Sequence, residues 1–425
     1  MKYYTSLRPH VTQRIELIKK ADILIGIPCY NNMETIGHVI EMVSSGLYHH
    51  YKDLRSVIMI ADGGSTDDTR DMADSTAIKP WQEKLVTIYR GPAGKGSALR
   101  SVFEAADRLK VKACMVVDSD LRSITGDWVK HLLDPVMVQD YDFVAPIYCR
   151  HKYDGTITNN IVYNLTRTLY GKRIRQPIGG DFAVSIRTAN FYMNQDVWET
   201  DIAKFGVDIW MTTSAIVNGF KVCQSHLGVK IHDAKDPGVH LAQMYRQVVT
   251  TIFVLMGQCY NYWKPIKGSE VTPVFGQNLG AEPEPVSVDL KLLVSKFKFG
   301  YKYFDVLWKK VFSDEVYREI QKTSKMNVED LNLDIKIWTR ILFEIASTFN
   351  KWKHNRYKLV ELSTPLYYAR IASFINDTKS MNSFQAEEVV EENAAVFESL
   401  KPLLLELWEK PLENHYDTDP ELDEI

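Results

Sequence analysis

Asp118-Ser119-Asp120 follows directly on the apolar run Met115-Val116-Val117. Two carboxylates one residue apart, at the exit of a buried strand, can direct oxygens at a divalent cation that bridges a diphosphate, because Mg2+ and Mn2+ favour hard oxygen ligands. The same pattern also arises as a solvated turn whose Asp caps a helix, so its position carries the metal reading. His232 stands two residues beyond an expected strand end at Lys230. A lone His is more often core or surface, yet a neutral imidazole beside two carboxylates would complete such a site.

Four further segments carry usable chemistry. In Asp62-Gly63-Gly64-Ser65-Thr66-Asp67-Asp68 the glycines permit a tight turn, Ser65 or Thr66 can cap the next helix, and Asp62 can accept from a nucleobase or ribose. A well-capped strand-turn-helix junction explains that segment equally simply. Lys95, between Gly94 and Gly96, suits phosphate or nucleobase contact, although the spacing is not that of a G-x-x-x-x-G-K-[ST] loop. Gln176-Pro177-Ile178-Gly179-Gly180-Asp181 fixes an unusual backbone path and delivers a carboxylate; a buried turn is its plainer reading. In Gly206-Val207-Asp208 the acid opens a helical pattern and is there either functional or a structural N-terminal charge.

The elements that must hold these residues alternate short β-branched runs with helical patterns, as in an α/β sheet built by crossovers. Strands are expected at Ile23 to Ile27, Val57 to Ile60, Leu85 to Tyr89, Ala113 to Val117, Asp142 to Ile147 and Lys221 to Val229. Helices are expected at Asn31 to Ser45, Thr66 to Ser75, Ser97 to Leu109, Ile161 to Tyr170 and Asp208 to Asn218. The polar clusters fall at strand C-termini, where open α/β sheets bind ligands. After His240 long amphipathic helical patterns take over, interrupted by a Pro- and Gly-rich loop or insertion at 262–286 and ending in an acidic tail at 413–425.

Composition excludes several classes. The chain has 425 residues with 45% hydrophobic, enough to bury a substantial core, so disordered and collagen-like chains are ruled out. With 51 Lys+Arg against 54 Asp+Glu and charges interspersed, nucleic acid is not expected as a partner. Five scattered cysteines without a CxxC pair argue against a disulfide framework or structural zinc. The N-terminus lacks a signal-peptide core, and the most apolar stretch, Val248 to Met256, falls well short of the ~20 residues a spanning helix needs. A cytoplasmic protein without a membrane span is expected.

Taken in order, these segments resemble the GT-A nucleotide-sugar glycosyltransferases, and more narrowly the retaining branch that includes glucosyl-3-phosphoglycerate synthase and mannosylglycerate synthase. Ile27-Pro28-Cys29-Tyr30-Asn31-Asn32, the Asp62 and Lys95 loops, Asp118-Ser119-Asp120, Gln176 to Asp181, Gly206-Val207-Asp208 and Lys230-Ile231-His232 carry the resemblance over Asp22 to Arg246, about half the chain. It implies a Rossmann-like GT-A catalytic domain at 1–246, a mainly helical region at 247–425, and a homodimer. It also implies a hexosyltransferase that uses Mg2+ or Mn2+ to move glucose or mannose from a GDP- or UDP-hexose to a small hydroxy acid, glycerate or 3-phosphoglycerate.

By the same resemblance, Pro28, Tyr30, Asn32, Asp62, Lys95, Asp118, Ser119, Gly179 and Gly180 serve the nucleotide sugar. Asp120 and His232 hold the metal, and Asp208 and Asp181 are catalytic. Gly155, Thr156 and Thr158 bind the acceptor; Thr156 stands where the phosphoglycerate enzymes carry an Arg, which favours an unphosphorylated acid unless Arg150, Lys152 or Arg173 supplies the charge. Asn32 departs from a common acidic residue, and Asp181 and Asp208 from Glu. Two alternatives stand beside this reading: an inverting transferase with an Asp general base, and a non-catalytic nucleotide-sugar-binding module.

Overall fold

The β-branched runs do form strands. The computed structural model describes residues 4–232, 240–277, 283–411 and 416–424. Its strands are β1 (Ile23–Cys29), β2 (Ser56–Asp62), β3 (Glu83–Ile88), β4 (Ala113–Val116), β5 (Phe143–Cys149), β6 (Lys172–Arg173), β7 (Phe182–Ser185), β8 (Val222–Val229), β9 (Glu270–Val271) and β10 (Val274–Phe275). Eight join one sheet in the order β10-β8-β5-β7-β4-β1-β2-β3, and β6 pairs with β9 in a separate ribbon. β1 and β2 are buried along their whole length, as parallel strands covered on both faces must be.

Register decides which turns become neighbours. β1 and β2 run parallel from Ile23 opposite Ser56 to Cys29 opposite Asp62, and β4 joins β1 with Val116 opposite Gly26. The loops after β1, β2 and β4 therefore leave from one edge. β7, a strand outside the expected set, is antiparallel to both β4 and β5, with Phe182 opposite Val116. Its entry point thus lies level with the exit of β4, so Asp181 arrives beside Asp118. β5 and β8 are parallel with Cys149 opposite Val229, which brings Lys230 to the same edge.

Two expected boundaries move. The first helix after β1 runs Met33–His50, past the expected end at Ser45, and a Cβ at Gly46 would sit 2.3 Å from the Gly126 carbonyl, so Gly46 marks a close helix crossing. Within the expected 262–286 insertion, β10 adds to the sheet edge beside β8.

The chain divides into two compact units: Met1–Arg150 with Ile174–Lys235 and Val271–Pro283, and His151–Arg173 with Asp236–Glu270 and Glu284–Ile425. The first contains the sheet, with Ile25, Ile58, Met115 and Val144 fully buried at its centre. The second is mostly helical. Its long helices are His240–Gln258, Leu290–Val311, Ile335–Lys351, Arg356–Thr378 and Ser383–Ser399. Within it Tyr163 packs with Phe374, Ala386 and Val390, and Arg167 pairs with Glu391 at 2.7 Å and Glu398 at 2.9 Å. Among the described residues no helix is long and apolar enough to cross a membrane.

Candidate active site

The loops after β1 and β2 are tied together by short polar side chains. Asn31 adopts φ 53°, a left-handed conformation Asn tolerates, and its Oδ1 accepts from the Thr66 amide at 2.9 Å. Asn32 Oδ1 accepts from the Tyr30 amide at 3.0 Å and from Ser119 Oγ at 2.8 Å, linking the first loop to the D-x-D turn. Tyr30 is 58% exposed and offers a free aromatic face, whereas Pro28 is buried inside β1. Asp62 is fully buried and serves its own turn: Oδ1 accepts from the Gly64 and Ser65 amides at 2.8 and 2.9 Å, and Oδ2 from the Ser65 hydroxyl and, at 3.6 Å, the Cys29 thiol.

At the exit of β4 the structure gathers Lys95, Asp118, Gly179, Gly180, Asp181 and Asp208. Lys95 Nζ opens the helix Lys95–Leu109 and donates to Asp118 Oδ1 at 2.8 Å, Asp208 Oδ2 at 3.2 Å and the Gly180 carbonyl at 3.3 Å. Lys230 Nζ donates to Asp118 Oδ2 at 2.9 Å, Asp181 Oδ2 at 2.8 Å and the Gly179 carbonyl at 2.8 Å. Each ammonium has three hydrogens and meets three oxygens, so both lysines are saturated. Tyr148 donates to Asp181 Oδ2, whose Oδ1 accepts from the Asp118 amide at 2.8 Å. Gly180 has φ 94°, and a Cβ there would lie 2.2 Å from Asp118 Oδ2. Only glycine lets the carboxylate and that backbone coexist.

Burial and charge pull these groups in opposite directions. For Asp118 burial favours the neutral form, but Lys230 and Lys95 outweigh it and hold the carboxyl well below its ordinary range. Lys95 and Lys230 are raised: burial opposes their charge, and the adjacent carboxylates overcome it. Burial raises Asp181 and Asp208 despite their lysine partners, with the Asp118 charge adding to both. Asp208 Oδ1 is buried with no hydrogen-bond partner among the described residues. A raised carboxyl with one open oxygen can accept from a substrate hydroxyl or take its proton.

Asp120 is buried, and Leu121 bridges to His232 in the backbone, with the Arg122 amide donating to the Ile231 carbonyl at 2.9 Å. The two expected metal ligands are therefore held on adjacent strands of backbone. Asp118 does not join them, since both its oxygens lie on lysines. Among the described residues no group of three His, Cys, Asp or Glu is gathered as a cation cage. One carboxylate and one imidazole still fit a divalent ion that takes its other ligands from phosphate oxygens and water, the usual habit of Mg2+.

Gly155, Thr156 and Thr158 lie in the second unit. Thr156 Oγ1 is 2.8 Å from the Tyr367 hydroxyl, and Thr158 opens a π-helical turn, Thr158–Val162. Of the three cations that could replace the missing Arg, Lys152 donates to the carbonyls of Thr378 at 2.8 Å and Met381 at 2.5 Å, and Arg173 to Ser269 at 3.0 Å. Arg150 instead lies over the Tyr148 ring, 5.3 Å from its centroid, with Lys230 4.9 Å from the same centroid.

Lys230 and Tyr148 were not among the expected site residues. Lys230 belonged to a recognised motif, but a Lys at a strand end reads as a solvated cation. Tyr148, inside the apolar strand β5, reads as core. Only the pairing of β5 with β7 and β8 reveals them.

Residues 24–198 match the family model described as Glycosyl transferase family 2. Glycosyltransferase AglJ of Haloferax volcanii is 23% identical over 242 residues, covering 54% of this chain and 72% of that protein. Among solved structures, glucosyl-3-phosphoglycerate synthase from Mycobacterium tuberculosis in complex with Mg2+ and uridine diphosphate is 23% identical with a TM-score of 0.45, covering 58% of this chain and 83% of that one. The same enzyme with Mn2+, UDP-glucose and phosphoglyceric acid is 23% identical with a TM-score of 0.43, over 60% and 86%. Residues 24–198 thus carry a glycosyl transferase family 2 domain on a mixed α/β sheet, and the chain is a glycosyltransferase.

Proposed function

We propose that this glycosyltransferase moves glucose or mannose from a UDP- or GDP-hexose to glycerate or 3-phosphoglycerate with retention, aided by Mg2+ or Mn2+. The observation that supports it most is the open oxygen of Asp208 beside Lys95, which also holds Asp118. To neutralise a departing diphosphate, Lys95 exchanges one of its protein acceptors for a phosphate oxygen. Asp120 and His232 would hold the cation, which supplies Lewis-acid neutralisation of the leaving group. Asp208 Oδ1 accepts from a hydroxyl at the reacting sugar, while Asp181, fixed by Tyr148 and Lys230, keeps the Gly179-Gly180 backbone in place. Tyr30 offers its exposed ring to the nucleobase, and Gly155, Thr156 and Thr158 receive the acceptor.

The deciding experiment is a matrix of UDP- and GDP-hexoses against D-glycerate and 3-phosphoglycerate, with and without Mg2+, scored for released nucleoside diphosphate. Release that depends on neither acid would reject the acceptor assignment. An inverting reaction is the second reading, favoured by the same Asp208: a carboxyl raised by burial is also what a general base requires. The anomeric configuration of the product, read by NMR, separates the two.

A further inference from the structure

Asn160 and Arg370 form a deeply buried, hydrogen-bonded polar pair of the helical unit. Asn160 is fully buried at the middle of the turn Thr158–Val162. A π-helical turn is rare, and recurs at functional sites. Three bonds hold this one: Asn160 Nδ2 donates to the Thr156 carbonyl at 3.0 Å, the Asn160 carbonyl accepts from Trp338 Nε1 at 2.9 Å, and Asn160 Oδ1 accepts from Arg370 Nε at 3.1 Å. Thr156 is therefore fixed twice, through its carbonyl by Asn160 and through its hydroxyl by Tyr367.

Arg370 is 1% exposed and reaches Asn160 across 210 residues of chain. Its Nη1 donates to the Leu333 carbonyl at 3.0 Å, Nη2 has no hydrogen-bond partner among the described residues, and its ion-pair contact with Asp377 is 3.9 Å. A buried guanidinium held this incompletely is a poor source of stability, since an apolar side chain of similar volume does as well or better. What it does supply is direction, a fixed donor aimed at the carbonyl oxygen of the Asn160 amide.

We propose that Arg370 and Asn160 act as positioning residues, a clamp by which the helical unit sets the conformation of segment 155–162 and thereby the affinity for the acceptor. The proposal rests on the reading of Gly155, Thr156 and Thr158 as acceptor-binding. A glycerate-sized acceptor makes few contacts, so a displacement on the order of 1 Å in those that remain is costly. The clamp makes acceptor affinity depend on helices far along the chain, while the groups around Asp118 keep their own geometry.

The test uses the full-length chain with Arg370→Met, Asn160→Ala and Arg370→Lys. Amide hydrogen exchange within 156–162 is expected to quicken about tenfold in the first two variants, while amides around Asp118 and Asp181 stay protected. The KM for D-glycerate or 3-phosphoglycerate should rise about tenfold with acceptor-independent hydrolysis of UDP-glucose or GDP-mannose unchanged, and Arg370→Lys should recover part of the loss. Unchanged exchange in 156–162, or faster exchange spread over the whole chain in step with a lower Tm, overturns the clamp. Thr158→Val and Gly155→Val serve as controls. If they raise the acceptor KM and the clamp variants do not, the clamp alone fails; if none of them moves it, the acceptor assignment itself is wrong.

Discussion

Lys230 Nζ meets Asp118 Oδ2 at 2.9 Å across 112 residues of sequence, while Lys95 Nζ meets the other oxygen of the same carboxylate at 2.8 Å. The first acid of the D-x-D turn is thus spent on two lysines. The two carboxylates of the motif stand in different surroundings: Asp118 anchors the two lysines, while Asp120 is buried next to Leu121, which bridges to His232 in the backbone.

Removing Lys230 should damage both fold and turnover. Its side chain is 3% exposed and neutralises Asp118 and Asp181 together. Lys230→Met leaves two buried carboxylates short of a partner, a loss on the order of 3 kcal/mol. Urea unfolding of the variant should show that decrease, and a midpoint equal to wild type would mean the pair is not held as described.

Gly180→Ala is a smaller change with a sharper locus. Alanine at φ 94° costs about 1–3 kcal/mol in backbone strain, and its Cβ falls on Asp118 Oδ2. Donor hydrolysis and donor binding should both fall in this variant, since Asp118 must leave its lysines. Full activity would show that the turn relaxes freely.

The pH dependence follows from the Asp208 and Asp118 carboxyls with opposite sign. Burial lifts Asp208 above 3.8 despite Lys95, so as a base it gains activity as pH rises through that raised value. Its contribution to stability runs the other way and improves as pH falls from the raised value toward 3.8. Asp118 is depressed, so its contribution to stability is complete above 3.8 and is lost as pH falls through its lower folded value. The acid limb of kcat should therefore lie above the ordinary carboxylate range and vanish in Asp208→Asn, which keeps donor binding while turnover drops about 10²- to 10⁴-fold. Normal turnover in that variant would remove Asp208 from the chemistry.

Chelation tests the metal assignment without touching the lysines. Treatment with EDTA should abolish transfer by the wild-type chain, and added Mn2+ or Mg2+ should restore it. Asp120→Asn should lose the response to added metal. Transfer that persists in EDTA would exclude the cation from the reaction.

The parts of this site that could be read from sequence are those set by local chemistry. Asp62, Lys95 and Asp118 each sit in a short polar turn right after a β-branched run, and Asp208 opens a helix, so type and place are visible within a few residues. β7 was not visible: four residues following paired glycines give too short a pattern, and their antiparallel direction depends on β4 and β5 being neighbours. Lys230 and Tyr148 depend on that same sheet order. The type of Asp62 suggests a ligand contact, and its further task of accepting from the amides of its own turn becomes visible only in the folded loop.

Arg150 is the cation of the three that stands at the ring of Tyr148, whose hydroxyl is bound to Asp181, and its substitution tests whether it tells a phosphorylated acceptor from a plain acid. A guanidinium matches a phosphate with two parallel bonds, worth about 1.5–3 kcal/mol for a charged partner. Arg150→Ala should then raise KM for 3-phosphoglycerate by roughly tenfold or more and leave KM for D-glycerate nearly unchanged. Arg150→Lys should restore part of the difference, because it keeps the charge and loses the fork. An equal rise for both acids would show that Arg150 supports the ring of Tyr148 and does not read a phosphate.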